Sequence, residues 1–157
     1  MVGSILDKLH AATKKVEQSY YRLILLVGES GAGKTGALRS IADQMDTKVT
    51  SLNRELSERL LGLTAKQREA QLISITNEIL KNNLSPLILD NIELLFDRTL
   101  HNDPLTVLKN LSRSRTIIAS WSGTIYEGQL TYAVPSHSEF REYSLSDICV
   151  IEMNEHD

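Results

Sequence analysis

Residues 23–35, LILLVGESGAGKT, contain the feature that decides the fold of this chain. Leu23 to Val27 is a short, continuous apolar run, which is typical of a strand buried on both faces of a parallel sheet. The next segment, GESGAGKT, matches the G-x-x-x-x-G-K-[ST] pattern of a phosphate-binding loop at every fixed position. After Lys34 the apolar residues recur at helical spacing, so the loop joins a strand to a helix as this motif requires.

Each part of this loop suits the binding of a nucleoside triphosphate. Small residues allow successive backbone N–H groups to curl around phosphate oxygens, and the helix N-terminus adds its dipole. Lys34 would reach the β- and γ-phosphates, and the Thr35 hydroxyl would hold Mg²⁺. We therefore predict ATP and Mg²⁺ as cofactors, bound by Gly28, Glu29, Ser30, Gly31, Ala32, Gly33, Lys34, Thr35 and Gly36.

A second set of candidate residues follows the predicted strand Leu87 to Asp90. Asp90 would hold the Mg²⁺ shell, so the predicted metal site is Thr35 with Asp90. Many ATP hydrolases of this class place Glu directly after this Asp, but here the position is Asn91, which can orient water but cannot accept its proton. We therefore expect slow turnover, with Glu93 as the candidate base and Glu55, which follows the second strand, as its rival.

The predicted fourth strand ends in Ala119-Ser120-Trp121-Ser122. In P-loop ATPases with a strand inserted between the phosphate-loop strand and the Asp strand, a polar residue here senses the γ-phosphate. Ser120 and Ser122 are candidates for that role, or they simply terminate the strand. Trp121 is more typical of a packing residue or interface anchor than of a base-stacking residue.

Strands and helices alternate along the chain, which predicts an α/β sandwich around a parallel sheet. Five strands are expected, near residues 23–27, 48–52, 87–90, 116–120 and 148–151. The expected fold class is a three-layer P-loop NTPase of the ASCE or AAA+ type with a five-stranded, mainly parallel sheet and no separate lid domain. Residues 1–157 are expected to form one domain, with an N-terminal helix over 4–18 packed on it.

Local patterns predict the ends of several elements. Ser4, Asn53, Thr64 and Asp103 are expected to cap helices. The helix after Asn53 is expected to bury Leu56, Leu60 and Leu61 and to end at Gly62. Residues 124–133 favour a β-hairpin centred on Glu127-Gly128, and residues 136–139 favour the start of a short helix.

Composition limits the class of protein. The 157 residues carry 17 basic and 20 acidic side chains, for a formal net charge of −3. The charge of the chain as a whole therefore excludes a polybasic nucleic-acid binder. The longest apolar run is far shorter than a membrane span. One cysteine, Cys149, excludes an internal disulfide, and a reducing, cytoplasmic location is the default expectation.

Residues 23–143 resemble the BrxF family, the small P-loop proteins of type 3 BREX (bacteriophage exclusion) systems. The resemblance is carried by GESGAGKT (28–35), SLNRELSERLL (51–61), LILDNIELLFD (87–97), DPLTVLKNLSRSRTIIASW (103–121) and LTYAVPSHSEFREY (130–143). It implies an ATPase with an AAA+-like core and no evident lid. It also implies a bacterial, cytoplasmic role in defence against phage DNA, beside a DNA methyltransferase and a larger ATPase, with DNA contact through the complex and no membrane.

AAA+-like domains bind nucleotide at subunit boundaries, where an arginine of the neighbour completes the site. Arg141 lies between the fourth and fifth predicted strands, where the AAA+ pattern places this arginine, and Arg115 is the second candidate. A surface arginine paired with a carboxylate is the alternative for both. A homo-oligomer is therefore expected, with Lys34, Asp90, Glu93 and Arg141 as its catalytic residues.

Two other functions stay open at this point. A small-molecule P-loop kinase would suit the size of the chain, but Arg113 and Arg115 precede a strand and do not form a clear lid. A nucleotide-dependent switch without hydrolysis would explain Asn91. A GTPase is disfavoured because the sequence has no Asn-Lys-x-Asp segment.

Overall fold

A computed structural model describes residues 2–29, 31–81, 86–97, 100–132, 141–145 and 147–153 of the chain. Ser30 of the phosphate loop and the predicted helix start at residues 136–139 lie outside these described residues.

One sheet contains all the strands of the described residues. They are β1 (Leu23–Gly28), β2 (Val49–Ser51), β3 (Leu87–Asp90), β4 (Ile117–Tyr126), β5 (Gln129–Tyr132), β6 (Arg141–Ser144) and β7 (Cys149–Glu152). The parallel part has the order β2-β3-β4-β1-β7. The five strands of this parallel part are the five predicted from the sequence, and β4 is inserted between β1 and β3 as expected.

Helices cover both faces of the parallel sheet and form three layers with it. They are α1 (Val2–Lys15), α2 (Lys34–Gln44), α3 (Leu52–Leu60), α4 (Ala65–Leu80) and α5 (Pro104–Leu111). Alternate residues of β1 point to opposite faces. Leu23, Leu25 and Val27 pack with α3, α4 and α5, while Ile24 and Leu26 pack with α1 and α2. Both faces of β1 are therefore buried from solvent, which explains its unbroken apolar sequence.

The predicted hairpin is confirmed, and it enlarges the sheet beyond five strands. β4 continues past its last pair with β1, Gly28 and Ser122, and then pairs antiparallel with β5, which in turn pairs with β6. We call residues 123–132 and 141–144 the ribbon. Glu127 and Gly128 form its turn with φ of 51° and 78°.

Trp121 is fully buried beneath the ribbon, so its packing role is confirmed. Its indole Nε1 donates to the carbonyl of Thr131 at 2.9 Å. Its ring meets those of Phe96, Tyr132 and Tyr143 edge to face, and Phe96 stacks flat on Tyr132. The sequence did not reveal this aromatic cluster because its members come from four separate segments.

Two of the predicted caps are wrong and two are confirmed. α1 begins at Val2, before Ser4, and α3 begins at Leu52 with Ser51 at its N-cap, so Asn53 lies within the helix. Thr64 forms the predicted capping box with Gln67, and the Asp103 side chain accepts from the backbone N–H of Leu105.

Leu61 was expected in the core but is 79% exposed, because α3 ends at Leu60 and the chain turns away from the core at Gly62.

No helix within the described ranges is both long enough and apolar enough to cross a lipid bilayer.

Candidate nucleotide-binding site

The phosphate loop leaves the carboxyl end of β1 and ends at the first turn of α2. Gly31 and Gly33 have φ of 89° and 97°, a backbone conformation that residues with a Cβ rarely adopt. The backbone N–H of Ala32 donates to the carbonyl of Glu29 at 3.1 Å. The sequence places glycine at these positions because the chain must reverse there and then begin a helix.

Gly28 is required by its neighbour Met153, the residue after β7, and not by its own backbone angles. A Cβ atom at this position would lie 2.6 Å from the carbonyl oxygen of Met153. Met153 also donates its backbone N–H to the carbonyl of Val27 at 2.6 Å, and its side chain lies near Gly33. β7 and the residue that follows it therefore support the base of the loop. The sequence contained no signal for this contact.

Lys34 lies folded against the loop. Its Nζ donates to the carbonyls of Gly28 and Glu29 at 2.7 and 2.8 Å, and the residue is only 7% exposed. Burial lowers the pKa of the Lys34 ammonium from its usual value, while the carboxylates of Asp90, Glu93 and Glu29 oppose this change. Two of the three ammonium donors contact the loop, and the surrounding carboxylates favour the charged form.

Asp90 is the centre of a hydrogen-bond network at the end of β3. Its Oδ2 accepts from the Thr35 hydroxyl at 2.7 Å, and its Oδ1 accepts from the Ser120 hydroxyl at 2.6 Å. The backbone N–H of Asn91 donates to the same Oδ1 at 2.9 Å. The two residues of the predicted metal site, 55 positions apart in sequence, are therefore in direct contact.

Glu93 is held between two polar side chains. Its Oε2 accepts from the Asn53 amide at 3.1 Å, and its Oε1 accepts from the Ser122 hydroxyl at 3.3 Å. Asn53 also accepts the backbone N–H of Leu94 at 2.7 Å, so it positions the short 3₁₀ turn that carries Glu93. The two candidate serines thus differ in their partners, because Ser120 contacts Asp90 and Ser122 contacts Glu93.

The rival carboxylate, Glu55, lies in the first turn of α3 and is half-buried. The carboxylates that affect the pKa of Lys34 are Asp90, Glu93 and Glu29, and Glu55 is not among them. Asn91 has φ of 51°, and its side-chain amide donates to the Ser51 hydroxyl at 3.1 Å. Of the two carboxylates, Glu93 is the one whose field acts on Lys34.

The two candidate arginines bind backbone carbonyls of their own chain. Arg141, on β6, donates to the carbonyls of Asn102 at 3.0 Å and Phe96 at 3.3 Å. Arg115 donates to the carbonyl of Leu80 at 2.7 Å. Arg141 therefore joins the ribbon to the end of the 3₁₀ turn that carries Glu93.

The donor set fits magnesium and a nucleoside triphosphate. Mg²⁺ prefers hard oxygen ligands such as carboxylates and hydroxyls. The Asp90 carboxylate and the Thr35 hydroxyl lie in contact with each other, so both could bind the same ion. A Cβ atom added at Gly31 would meet no atom of the described residues within 4 Å, apart from its own chain neighbours. A bulky anion can therefore approach the backbone of the loop there, and Lys34 supplies the cation beside that space.

The fold and this site define a P-loop nucleotide-binding protein in which a strand separates the loop strand from the Asp strand. The sequence profile of the family described as "ATPase family associated with various cellular activities (AAA)" matches residues 24–120. This chain belongs to the AAA family, and that membership indicates a nucleotide-binding ATPase domain.

Two solved structures are similar to this chain at low sequence identity. A katanin structure, entitled "Structural Basis for Katanin Self-Assembly", is 19% identical with a TM-score of 0.42, over 76% of this chain and 43% of that chain. A structure of C. elegans PCH-2 is 18% identical with a TM-score of 0.44, over 98% of this chain and 41% of that chain. This chain thus spans about two fifths of the length of each. No curated protein matches the sequence significantly.

Proposed function

We propose that this protein is a Mg²⁺-dependent ATP hydrolase. The observation that carries the proposal is the network beside the phosphate loop in which the Asp90 carboxylate, at the end of β3, accepts from both Thr35 and Ser120. AAA family membership supports ATP as the nucleotide.

In this proposal each residue of the site has one task. The loop amides and Lys34 bind the phosphates, and Thr35 and Asp90 hold the metal ion. A Mg²⁺ ion held there would supply positive charge against the charge that develops on the phosphoryl oxygens. Glu93 accepts a proton from the attacking water, and Asn53 and Ser122 orient its two oxygens. Because Asn91 follows Asp90 in place of a glutamate, we expect slow turnover for the protein alone.

Replacing Lys34 tests nucleotide binding directly. Lys34→Ala removes the buried cation that would bind the β- and γ-phosphates, and a charge-assisted hydrogen bond contributes about 1.5–3 kcal/mol. We expect ATP affinity to fall at least about tenfold in calorimetry with Mg²⁺ present. Lys66→Ala, in the exposed first turn of α4, is the matched control and should bind ATP like the wild type. Unchanged affinity in Lys34→Ala would contradict the site.

We also propose that the protein acts in a bacterial, cytoplasmic BREX complex that defends against phage DNA. The resemblance of residues 23–143 to the BrxF family supports this role, and it suggests other BREX proteins as partners. Purification of the tagged protein from its native host tests the proposal. Co-purification of a DNA methyltransferase and a larger ATPase, followed by ATP hydrolysis by that complex, is expected. Isolation of the protein without either partner would contradict the role in BREX.

We further propose a homo-oligomer in which Arg141 of one subunit completes the nucleotide site of its neighbour. Arg141→Ala should bind ATP normally and hydrolyse it poorly, since an arginine in a neighbouring site contributes about 10³–10⁵ in rate. Because Arg141 also bonds to Phe96 and Asn102 of its own chain, loss of activity alone is ambiguous.

Mixing two inactive variants resolves this ambiguity. In a mixed assembly of Arg141→Ala with Lys34→Ala, an intact phosphate loop can meet an intact Arg141 of its neighbour, so turnover should partly return. An arginine that only supports its own subunit would leave the mixture inactive. A monomer by light scattering in the presence of ATP, with constant specific activity on dilution, would also contradict the oligomer.

A nucleotide-dependent switch is the second candidate function, because Asn91 is held by Ser51 and by its own backbone geometry and cannot act as a base. Incubation with ATP and Mg²⁺, with and without phosphate acceptors, distinguishes the candidates. Phosphate release without an acceptor supports the hydrolase, and tight binding without turnover supports the switch. Transfer to an acceptor would indicate the small-molecule kinase.

A further inference from the structure

Two neighbouring tyrosines, Tyr20 and Tyr21, lie at the end of the sheet opposite the phosphate loop. They precede β1, whereas the loop follows it, so the length of that strand separates the two surfaces. Their rings meet edge to face with centroids 4.8 Å apart. Tyr20 is 64% exposed, so part of its ring is accessible to a molecule in solution.

Each of these tyrosines is accompanied by a cation. The Arg113 guanidinium lies 3.9 Å from the centroid of the Tyr20 ring, and the Lys109 ammonium lies 5.3 Å from that of Tyr21. Arg22 donates to the carbonyl of Arg113 at 2.9 Å and so fixes the segment that carries this guanidinium. The exposed Tyr20 ring is thus held in place by contacts on its own chain.

A cleft of about 570 Å³ opens beside the two rings. Val16 and Ile148 contribute apolar surface to it, Lys15 contributes a cation and Asp147 contributes a carboxylate. This volume lies within the range of small-molecule and nucleobase sites. We call Tyr20, Tyr21 and this cleft the tyrosine surface.

The chain segments that lead into β1, β4 and β7, which include both tyrosines, have a net charge opposite to that of the whole chain. The segments 14–22, 109–116 and 147–148 lead into β1, β4 and β7. They carry six basic residues against two acidic ones, Glu17 and Asp147, whereas the whole chain has a net charge of −3. The basic residues are Lys14, Lys15, Arg22, Lys109, Arg113 and Arg115.

We propose that the tyrosine surface binds single-stranded nucleic acid. A flat exposed ring supported by a guanidinium, an adjoining cleft and surrounding cations are what stacking of one or two bases and contact with their phosphates require. A duplex keeps its bases stacked inside, so it offers phosphates and base edges but no free base face to stack on Tyr20. An acidic protein partner would use the cations but would not require the exposed face of Tyr20.

Fluorescence anisotropy with a labelled oligothymidylate of about 20 nucleotides tests the proposal. We expect binding that is tighter than for a duplex of equal length. Affinity should fall at least about tenfold between about 50 and 200 mM salt. Tyr20→Ala should weaken binding about tenfold, Tyr20→Phe should retain it, and Arg113→Lys should weaken it less than Tyr20→Ala.

Two matched controls make the result specific. Tyr126→Ala removes a tyrosine of similar exposure, 66%, from the turn of the ribbon, and it should bind DNA like the wild type. Lys34→Ala should also bind DNA normally, so failure of the nucleotide site and failure of the tyrosine surface can be distinguished. Equal binding by Tyr20→Ala and Tyr126→Ala, equal affinity for duplex, or equal competition by polyglutamate would overturn the proposal.

Discussion

Asp90→Asn is expected to lower ATP turnover by about a thousandfold while the protein remains folded. The carboxylate is the charged group in the contact with Thr35, and charge stabilisation by a correctly held metal ion contributes several kcal/mol to phosphoryl transfer. Asparagine has the same shape and can still accept from Ser120, so the network keeps most of its hydrogen bonds.

Asp90→Ala should abolish hydrolysis as well, but it also carries a cost in stability. It leaves the Ser120 hydroxyl, which is only 3% exposed, without its acceptor, and an unpaired buried hydroxyl costs about 1–3 kcal/mol.

The measurement for both variants is phosphate release with ATP and Mg²⁺, together with thermal unfolding of the same samples. Asp43→Ala, which removes an exposed carboxylate on α2, is the control and should leave both quantities unchanged. Turnover by Asp90→Asn within a factor of a few of the wild type would show that this carboxylate does not hold the metal ion.

Glu93→Gln is expected to slow hydrolysis by about 10²–10⁴-fold with little change in ATP affinity. Glutamine can still accept a hydrogen bond from Asn53 or Ser122, so the geometry of the 3₁₀ turn should be kept while the ability to accept a proton is lost. Single-turnover phosphate release measures the chemical step, and calorimetry measures the affinity.

Glu55→Gln is the matched substitution for this test, since it changes the rival carboxylate on α3 in the same way. It should hydrolyse ATP at nearly the wild-type rate. If Glu93→Gln is fully active and Glu55→Gln is inactive, the assignment of the base moves to Glu55. If both variants are active, neither carboxylate is the base.

The sequence was sufficient to predict the parallel sheet and the phosphate loop. The loop motif depends on residues that are adjacent in the chain, and the apolar runs of β1 and β3 reflect burial on both faces. The capping box at Thr64 and the hairpin turn at Glu127-Gly128 are also local, since each uses hydrogen bonds or backbone angles within a few residues. Patterns of this kind can be recognised without knowledge of the fold.

Predictions about which residues meet across the chain were less complete. Asn53 was expected to cap a helix. The fold instead brings its side chain to residues about 40 positions away, where the amide nitrogen donates to Glu93 and the amide oxygen accepts from the backbone N–H of Leu94. Met153 gives no chemical signal, yet its backbone explains why residue 28 must be glycine. Arg141 was selected for a position between two strands, but its contacts with Phe96 and Asn102 depend on the ribbon.

The sequence by itself determined that a phosphate-binding loop motif lies at the end of a buried parallel strand, because the strand, the glycines and Lys34 are contiguous. Only the tertiary structure decided that the Ser120 hydroxyl donates to Asp90 and the Ser122 hydroxyl to Glu93, and that Tyr20 lies against Arg113. The physical reason is that strand order and register determine these contacts. Both are set by the packing of the two apolar faces over the whole sheet, and no local pattern of residues encodes them.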